Sequence, residues 1–214
     1  MYKARAVVFD IDGTLSPDIS WLALTRDLHA PVEQHVQIYT DYKNGTIDYP
    51  ASKTKLLDLW RSTGNANKTF FSLLFDALPL DPATEQVVQS AKVGRLVCLI
   101  TGSMDLYAQT VARKLGIDRW YANTTLHWDT TGNLVDMDYE LNQGKKKLEQ
   151  FVQFCQSNGL EPQDCLVVGD SENNEQLFES SQHGVLLGDI HESQTHAWKN
   201  IAKLTDFAQV LQDY

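Results

Sequence analysis

Apolar residues along this chain follow two rhythms. Short runs at Ala6 to Phe9, Arg95 to Ile100, Cys165 to Val168 and Val185 to Leu187 have the texture of strands buried on both faces. Elsewhere apolar residues recur every three or four positions, which predicts helices. Asp18 is placed to cap a helix through His29, with Trp21, Leu24 and Leu28 on one stripe, until Pro31 interrupts it. Val32, Val36 and Tyr39 continue to a stop at Asn44-Gly45. Pro50 suits the first turn of a helix carrying Leu56, Leu57 and Trp60, ending at Gly64. Phe70, Phe71, Leu74, Phe75 and Leu78 mark another, closed before Pro79.

Residues 16–80 therefore form one helical block between two strands. That pattern predicts a helical cap inserted into a core made of residues 1–15 and 81–214. The core resumes with Asp81-Pro82 opening a helix to Gly94. Met104 to Leu115, Lys145 to Ser157, Glu175 to Ser181 and Asp206 to Leu211 read as further helices. Leu126 to Trp128 and Leu134 to Tyr139, joined by Thr131-Gly132-Asn133, read as a rim hairpin. Ile201 to Leu204 reads as a weak strand. Strands alternating with helices predict an α/β fold, a doubly wound, Rossmann-like parallel sheet with right-handed crossovers. Ligands in such folds bind beyond the carboxyl ends of the strands.

Composition narrows the partners. At 214 residues the chain suits one domain with an insertion, and its net charge of −10 argues against nucleic acid or an anionic membrane. A small anionic substrate stays compatible with a locally positive site. The three cysteines have no metal-type spacing and read as small buried hydrophobes. The six histidines are scattered and read as surface or partly buried residues. No run is long enough to span a bilayer, and none resembles a signal core, so the cytoplasm is the expected compartment.

Chemistry concentrates at the strand ends. Asp10 and Asp12 follow the first strand at spacing i, i+2, so both can look into one site, and Gly13 lets the chain turn away. Thr101-Gly102-Ser103 follows the second strand, where a hydroxyl, a close backbone approach and a helix start make an anion seat. Lys145-Lys146-Lys147 opens a helix, and one of these lysines could face the strand ends. Asp170 follows the third strand through Gly169. Three carboxylates call for a hard cation, and sparse oxygen ligands favour Mg2+. A cation and a lysine would offset the repulsion between an anionic nucleophile and a phosphate, the central need of phosphoryl transfer.

The ordered motifs FDIDGTL, LITGS, a helix-opening Lys and VVGDSENN resemble the haloacid dehalogenase-like (HAD) hydrolase superfamily over essentially the whole chain. The helical insert, Tyr42-Lys43-Asn44-Gly45 and Leu126 to Tyr139 resemble its phosphoserine-phosphatase-like branch, with its helical (C1-type) cap. The resemblance implies a Mg2+-dependent phosphatase acting on a small phosphorylated metabolite. It implies that Asp10 attacks phosphorus to form an aspartyl-phosphate, while Asp12 protonates the leaving oxygen and then activates water. Thr101, Gly102, Asn173 and a lysine would hold the phosphoryl group. Asp10, the carbonyl of Asp12, and Asp170 would bind Mg2+. Lys145 is assigned the lysine role, because Leu148 and Val152 fall where the family's helix has them, with Lys146 the alternative. Two departures stand out. The second acid of the fourth motif is replaced by Asn174, so Glu175 takes its part or metal binding weakens. The cap also lacks the Glu that binds the substrate amine in phosphoserine phosphatases, with Asp18 and Ile19 near that place, which argues against L-phosphoserine. The competing readings are a phosphomutase of the same superfamily and a non-catalytic binding or regulatory descendant. Whether the chain is a monomer or a dimer is open from sequence.

Overall fold

A computed structural model describes residues 3–189 and 196–213. Among them the strands are β1 (Ala6–Phe9), β2 (Leu96–Met104), β3 (Arg119–Trp128), β4 (Leu134–Tyr139), β5 (Cys165–Gly169), β6 (Gly184–Leu187) and β7 (Ala197–Ile201). They form one sheet in the order β4-β3-β2-β1-β5-β6-β7. Every neighbouring pair is parallel except β3 with β4. The most apolar strand, β1, lies at the centre, with Phe9 opposite Leu99 of β2 and Val168 of β5. The segments leaving the carboxyl ends of these three strands therefore emerge side by side.

Alternate residues of the central strands serve opposite faces, as the pleat requires. Val7, Phe9, Val97, Leu99, Leu166 and Val168 pack in a cluster with α5 (Thr84–Ala91), α6 (Asp105–Leu115) and α9 (Phe207–Asp213). Ala6, Val8, Cys98, Ile100, Cys165 and Val167 pack on the other face against α7 (Gln143–Ser157) and α8 (Glu175–Ser181). This is the doubly wound α/β arrangement, and both faces being covered explains why the strands read as unbroken apolar runs. The three cysteines are buried and unbridged. No helix among the described residues is long and apolar enough to cross a membrane.

Between β1 and β2 lie α1 (Ser20–Asp27), α2 (Val32–Lys43), α3 (Tyr49–Arg61) and α4 (Lys68–Ala77). Asp48 caps α3 through the Ala51 N–H with Pro50 in its first turn, and Asn67 caps α4 through the Phe70 N–H. These helices share a core with the sheet. Leu24, Leu28, Leu57, Trp60, Phe71 and Phe75 belong to the same buried cluster as Val7 and Phe9. Trp60 is fully buried, its Nε1 donates to Thr25 Oγ1 at 2.8 Å, and its ring meets Trp21 and Phe71. The block also leans on β4: Arg61 donates to the carbonyls of Leu134 and Val135, and Lys53 pairs with Asp136.

Several boundaries differ from the sequence pattern. The cap of α1 is Ile19, without a side-chain bond, rather than Asp18. β2 runs on through Thr101, Gly102 and Ser103, and its register with β3 shifts between Thr101 and Met104. The rim hairpin exists, but β3 begins earlier and first lies parallel to β2. The last strand is Ala197–Ile201 instead of Ile201 to Leu204, because this edge strand buries only Ile201 fully and so carries little apolar signal. His35 is buried, deeper than the surface or partly buried place expected of the histidines, and burial pushes its pKa down to about 4. His191 lies outside the described residues.

Because Trp60 joins the helical block to the sheet's core, Trp60→Ala should lower the unfolding free energy by about 3–5 kcal/mol. Urea denaturation followed by circular dichroism measures this. A loss below about 1 kcal/mol would mean that the block unfolds apart from the sheet.

Candidate active site

The polar residues at the carboxyl edge of the sheet enclose a cleft of about 1050 Å3 that reaches Asp10, Asp12, Thr101, Gly102, Asp170 and Asn173. Asp10 extends β1 by one residue, its N–H donating to the Val168 carbonyl at 2.9 Å. The chain then folds back sharply, with the N–H groups of Leu15 and Ser16 on the Ile11 carbonyl. Gly13 makes this turn possible. Its φ is +73°, and a Cβ there would come within 2.1 Å of Asp170 Oδ2. The first loop and Asp170 can approach only because that side chain is missing.

Asp10 is 4% exposed. Its Oδ2 accepts from Lys147 Nζ at 2.5 Å and from Asn174 Nδ2 at 3.0 Å, while Oδ1 accepts from the Ile11 N–H at 2.8 Å. The lysine that reaches the strand ends is therefore Lys147, not Lys145 or Lys146. Asn142 caps α7 by accepting from the Lys145 N–H, so the helix begins two residues before Lys145. That phase leaves Lys145 exposed and sets Lys146 opposite Glu149. Lys147 instead continues the buried stripe of Gln150, Phe151, Phe154 and Cys155. Its ammonium, wholly buried, spends its three donors on Asp10, Asn173 Oδ1 at 2.5 Å and Asn174 Oδ1 at 3.0 Å. The stripe is legible in the spacing of Phe151, Phe154 and Cys155; Leu148 and Val152, both only half-buried, give the wrong phase.

Asn174, rather than Glu175, meets Asp10. Gly169 makes room, since a Cβ on it would lie 2.4 Å from Asn174 Cγ. Glu175 stands further out on the cleft wall, with Oε1 accepting from the His196 N–H at 2.7 Å and bonded to its Nδ1 at 2.6 Å. Thr101 is buried, and its Oγ1 accepts from the Ser103 N–H at 3.1 Å. A Cβ on Gly102 would come within 2.8 Å of Gln143 Oε1, an oxygen held by Asn123 Nδ2 at 2.6 Å.

Asp12 has one satisfied oxygen. Its Oδ2 accepts from the Ser20 N–H at 3.2 Å and the Ser20 hydroxyl at 2.6 Å, and that hydroxyl lies 2.5 Å from Ser103 Oγ. Neither serine contact is readable from motif spacing, because Ser20 comes from the helical block. Asp12 Oδ1 is buried with no partner. Burial, more than the nearby Asp10 charge, lifts its pKa to about 7 against the lowering effect of Ser20. Burial and then Asp10 lift Asp170 to about 6, with Thr14 Oγ1 donating to it at 3.3 Å. Three carboxylates thus crowd round a single buried ammonium. Among the described residues, no three His, Cys, Asp or Glu side chains are grouped so as to hold a metal ion by themselves. So few carboxylates suit only a hard cation that keeps several of its waters. Three carboxylates with one buried lysine leave net negative charge at this end of the cleft.

Known proteins share this framework. A phosphoserine phosphatase of Methanocaldococcus jannaschii is 24% identical over 181 residues, covering 84% of this chain and 83% of that protein. One from a Polaromonas species is 28% identical over 175 residues, covering 79% and 73%. A solved phospho-aspartyl intermediate analogue of phosphoserine phosphatase superposes with a TM-score of 0.75 at 18% identity, covering 98% of this chain and 99% of the other. A substrate-bound phosphoserine phosphatase complex does so with a TM-score of 0.74 at 20% identity, covering 100% and 99%. The sequence pattern of the haloacid dehalogenase-like hydrolases matches residues 4–180, and the chain belongs to that family.

Proposed function

We propose that the protein is a Mg2+-dependent phosphatase that hydrolyses a small phosphomonoester through an aspartyl-phosphate on Asp10. The observation that carries this is the buried Asp10 carboxylate at the end of β1, held by Lys147 and Asn174, with Asp12 two residues on. The kinship with phosphoserine phosphatases supports the reaction class. In this reading a carboxylate oxygen of Asp10 attacks phosphorus while the ester oxygen departs. The Asp12 carboxyl, whose pKa burial raises, gives its proton to that oxygen and later takes one from the attacking water. Ser20 fixes the orientation of Asp12. Lys147 offsets the charge of Asp10 and the phosphoryl group, while Thr101, Gly102 and Asn173 line the place where phosphoryl oxygens would sit. The ion would be held by Asp10, the Asp12 carbonyl and Asp170, and when bound it supplies charge neutralisation. Residues 16–80 act as the cap over the core of 1–15 and 81–214, excluding water from the cleft.

The decisive experiment is hydrolysis of p-nitrophenyl phosphate. Turnover should require Mg2+, stop on chelation, and vanish in a folded Asp10→Asn variant, which keeps the shape but cannot form the acyl-phosphate. Metal-independent turnover, or full activity in Asp10→Asn, would overturn the proposal. The two lysines offer a second check. Lys147→Met should lower kcat/KM by at least 100-fold, whereas Lys145→Met stays within twofold, a contrast readable from initial rates. Asp12→Asn should reduce kcat by roughly 10²–10⁴-fold and KM far less, because the acid acts mainly in the transition state. A tenfold loss or smaller, measured on an alkyl phosphate, would remove Asp12 from that role.

A further inference from the structure

A second cavity opens beside the cleft. It measures about 280 Å3 and lies among α1, α2, α3 and β4. Ile19, Trp21, Tyr39, Tyr42 and Tyr139 line both spaces, so the two share a wall. The rings brace one another: Tyr139 meets Trp21 edge-on at 5.5 Å and stacks on Tyr49 at 6.1 Å. The lysine and the histidine on the cavity wall are engaged. Lys53 pairs with Asp136 at 2.9 Å, and His35 Nδ1 is bonded to Thr25 Oγ1 at 2.7 Å. At the rim Ile19, Val36 and Tyr39 stay 46%, 45% and 52% exposed. Large apolar side chains grouped round one opening, rather than scattered singly, mark a binding site.

Resting on the phosphatase reading, we propose that this cavity receives the alcohol part of the substrate, which carries an uncharged apolar group the size of one aromatic ring. The phosphoryl group would sit at Asp10, with the ring beyond Trp21 and Tyr139. The size agrees: an apolar cavity of about 150 Å3 suffices for benzene, so this one holds a ring and a short linker. The charge agrees as well. The helical block gives the cleft Ile19, Trp21, Tyr39, Tyr42 and Lys43, with no carboxylate to meet an ammonium group.

The test compares three primary alkyl esters of similar leaving-group basicity: 2-phenylethyl phosphate, glycerol 1-phosphate and O-phospho-L-serine. The wild-type enzyme should favour 2-phenylethyl phosphate over each of the others by about thirtyfold in kcat/KM. A preference below tenfold overturns the inference while leaving the phosphatase reading intact. Ser52→Phe, which fills the cavity from α3, and Tyr39→Ala, which opens its rim, should each lower that preference at least tenfold. A preference unmoved by both also overturns it. Binding separates the inference from catalysis. By calorimetry, the Asp10→Asn protein should bind 2-phenylethyl phosphate at least tenfold more tightly than the Asp10→Asn, Ser52→Phe double variant. Equal affinities count against the cavity even if no ester is hydrolysed, and a tenfold gap supports it even then.

Discussion

The contact between Lys147 and Asp10 is the constraint around which the carboxyl edge of the sheet is arranged. Removing either charge from water costs several kcal/mol, and a buried pair is tolerated only when geometry and further hydrogen bonds compensate. Here the ammonium has its three donors placed and both oxygens of Asp10 are bonded. The missing side chains at Gly13 and Gly169 reflect the same crowding, since each leaves the space that a neighbouring polar group occupies. A site so tightly packed has little freedom to rearrange, which suits an arrangement that must meet developing charge without reorganising.

Features legible in the sequence differ from hidden ones in the kind of information they carry. β1, β5 and β6 announce themselves because both faces are buried, and a run such as Ala6 to Phe9 has no other comfortable place. β7 is half-exposed, and the apolar pattern displaces it by several residues. The strand-end residues Asp10, Asp12, Thr101 and Asp170 line one cleft, as a parallel sheet with β1 at its centre demands. Lys147 is missed through helical phase: it lies about 200° round the helix from Lys145, so following the Leu148 and Val152 stripe instead of the Phe151 and Phe154 stripe picks the wrong lysine. Asn174, being neutral, reads as a poor partner for a metal. Its place is explained by another need, bridging Lys147 to Asp10 with both ends of its amide. Ser20 carries no sequence signal at all, since its contact with Asp12 depends on how the helical block meets the sheet.

The helical block is bound into the molecule through two different chemistries. Its apolar residues merge with the core behind β1, and its aromatic rim faces the cleft beside Tyr139 of β4. The cleft wall and the buried core therefore draw on neighbouring side chains of the same helical block, such as Trp21 with Trp60. Changes that retune the rim will be felt in the packing beneath it.

The position of β1 at the centre of the sheet has a consequence for how the molecule is assembled. Asp10 lies 137 residues from Lys147 and 164 from Asn174 along the chain. A growing or refolding polypeptide has the acids long before it has the groups that neutralise them. Contacts of such sequence separation carry a heavy loop-closure cost and form slowly. Until α7 and β5 arrive, β1 is an apolar strand with an open edge, the kind of segment prone to mispairing. The clustered carboxylates at its end repel one another and keep that edge hydrated. Acids at the tip of an apolar strand are the kind of residue that guards such a segment against aggregation.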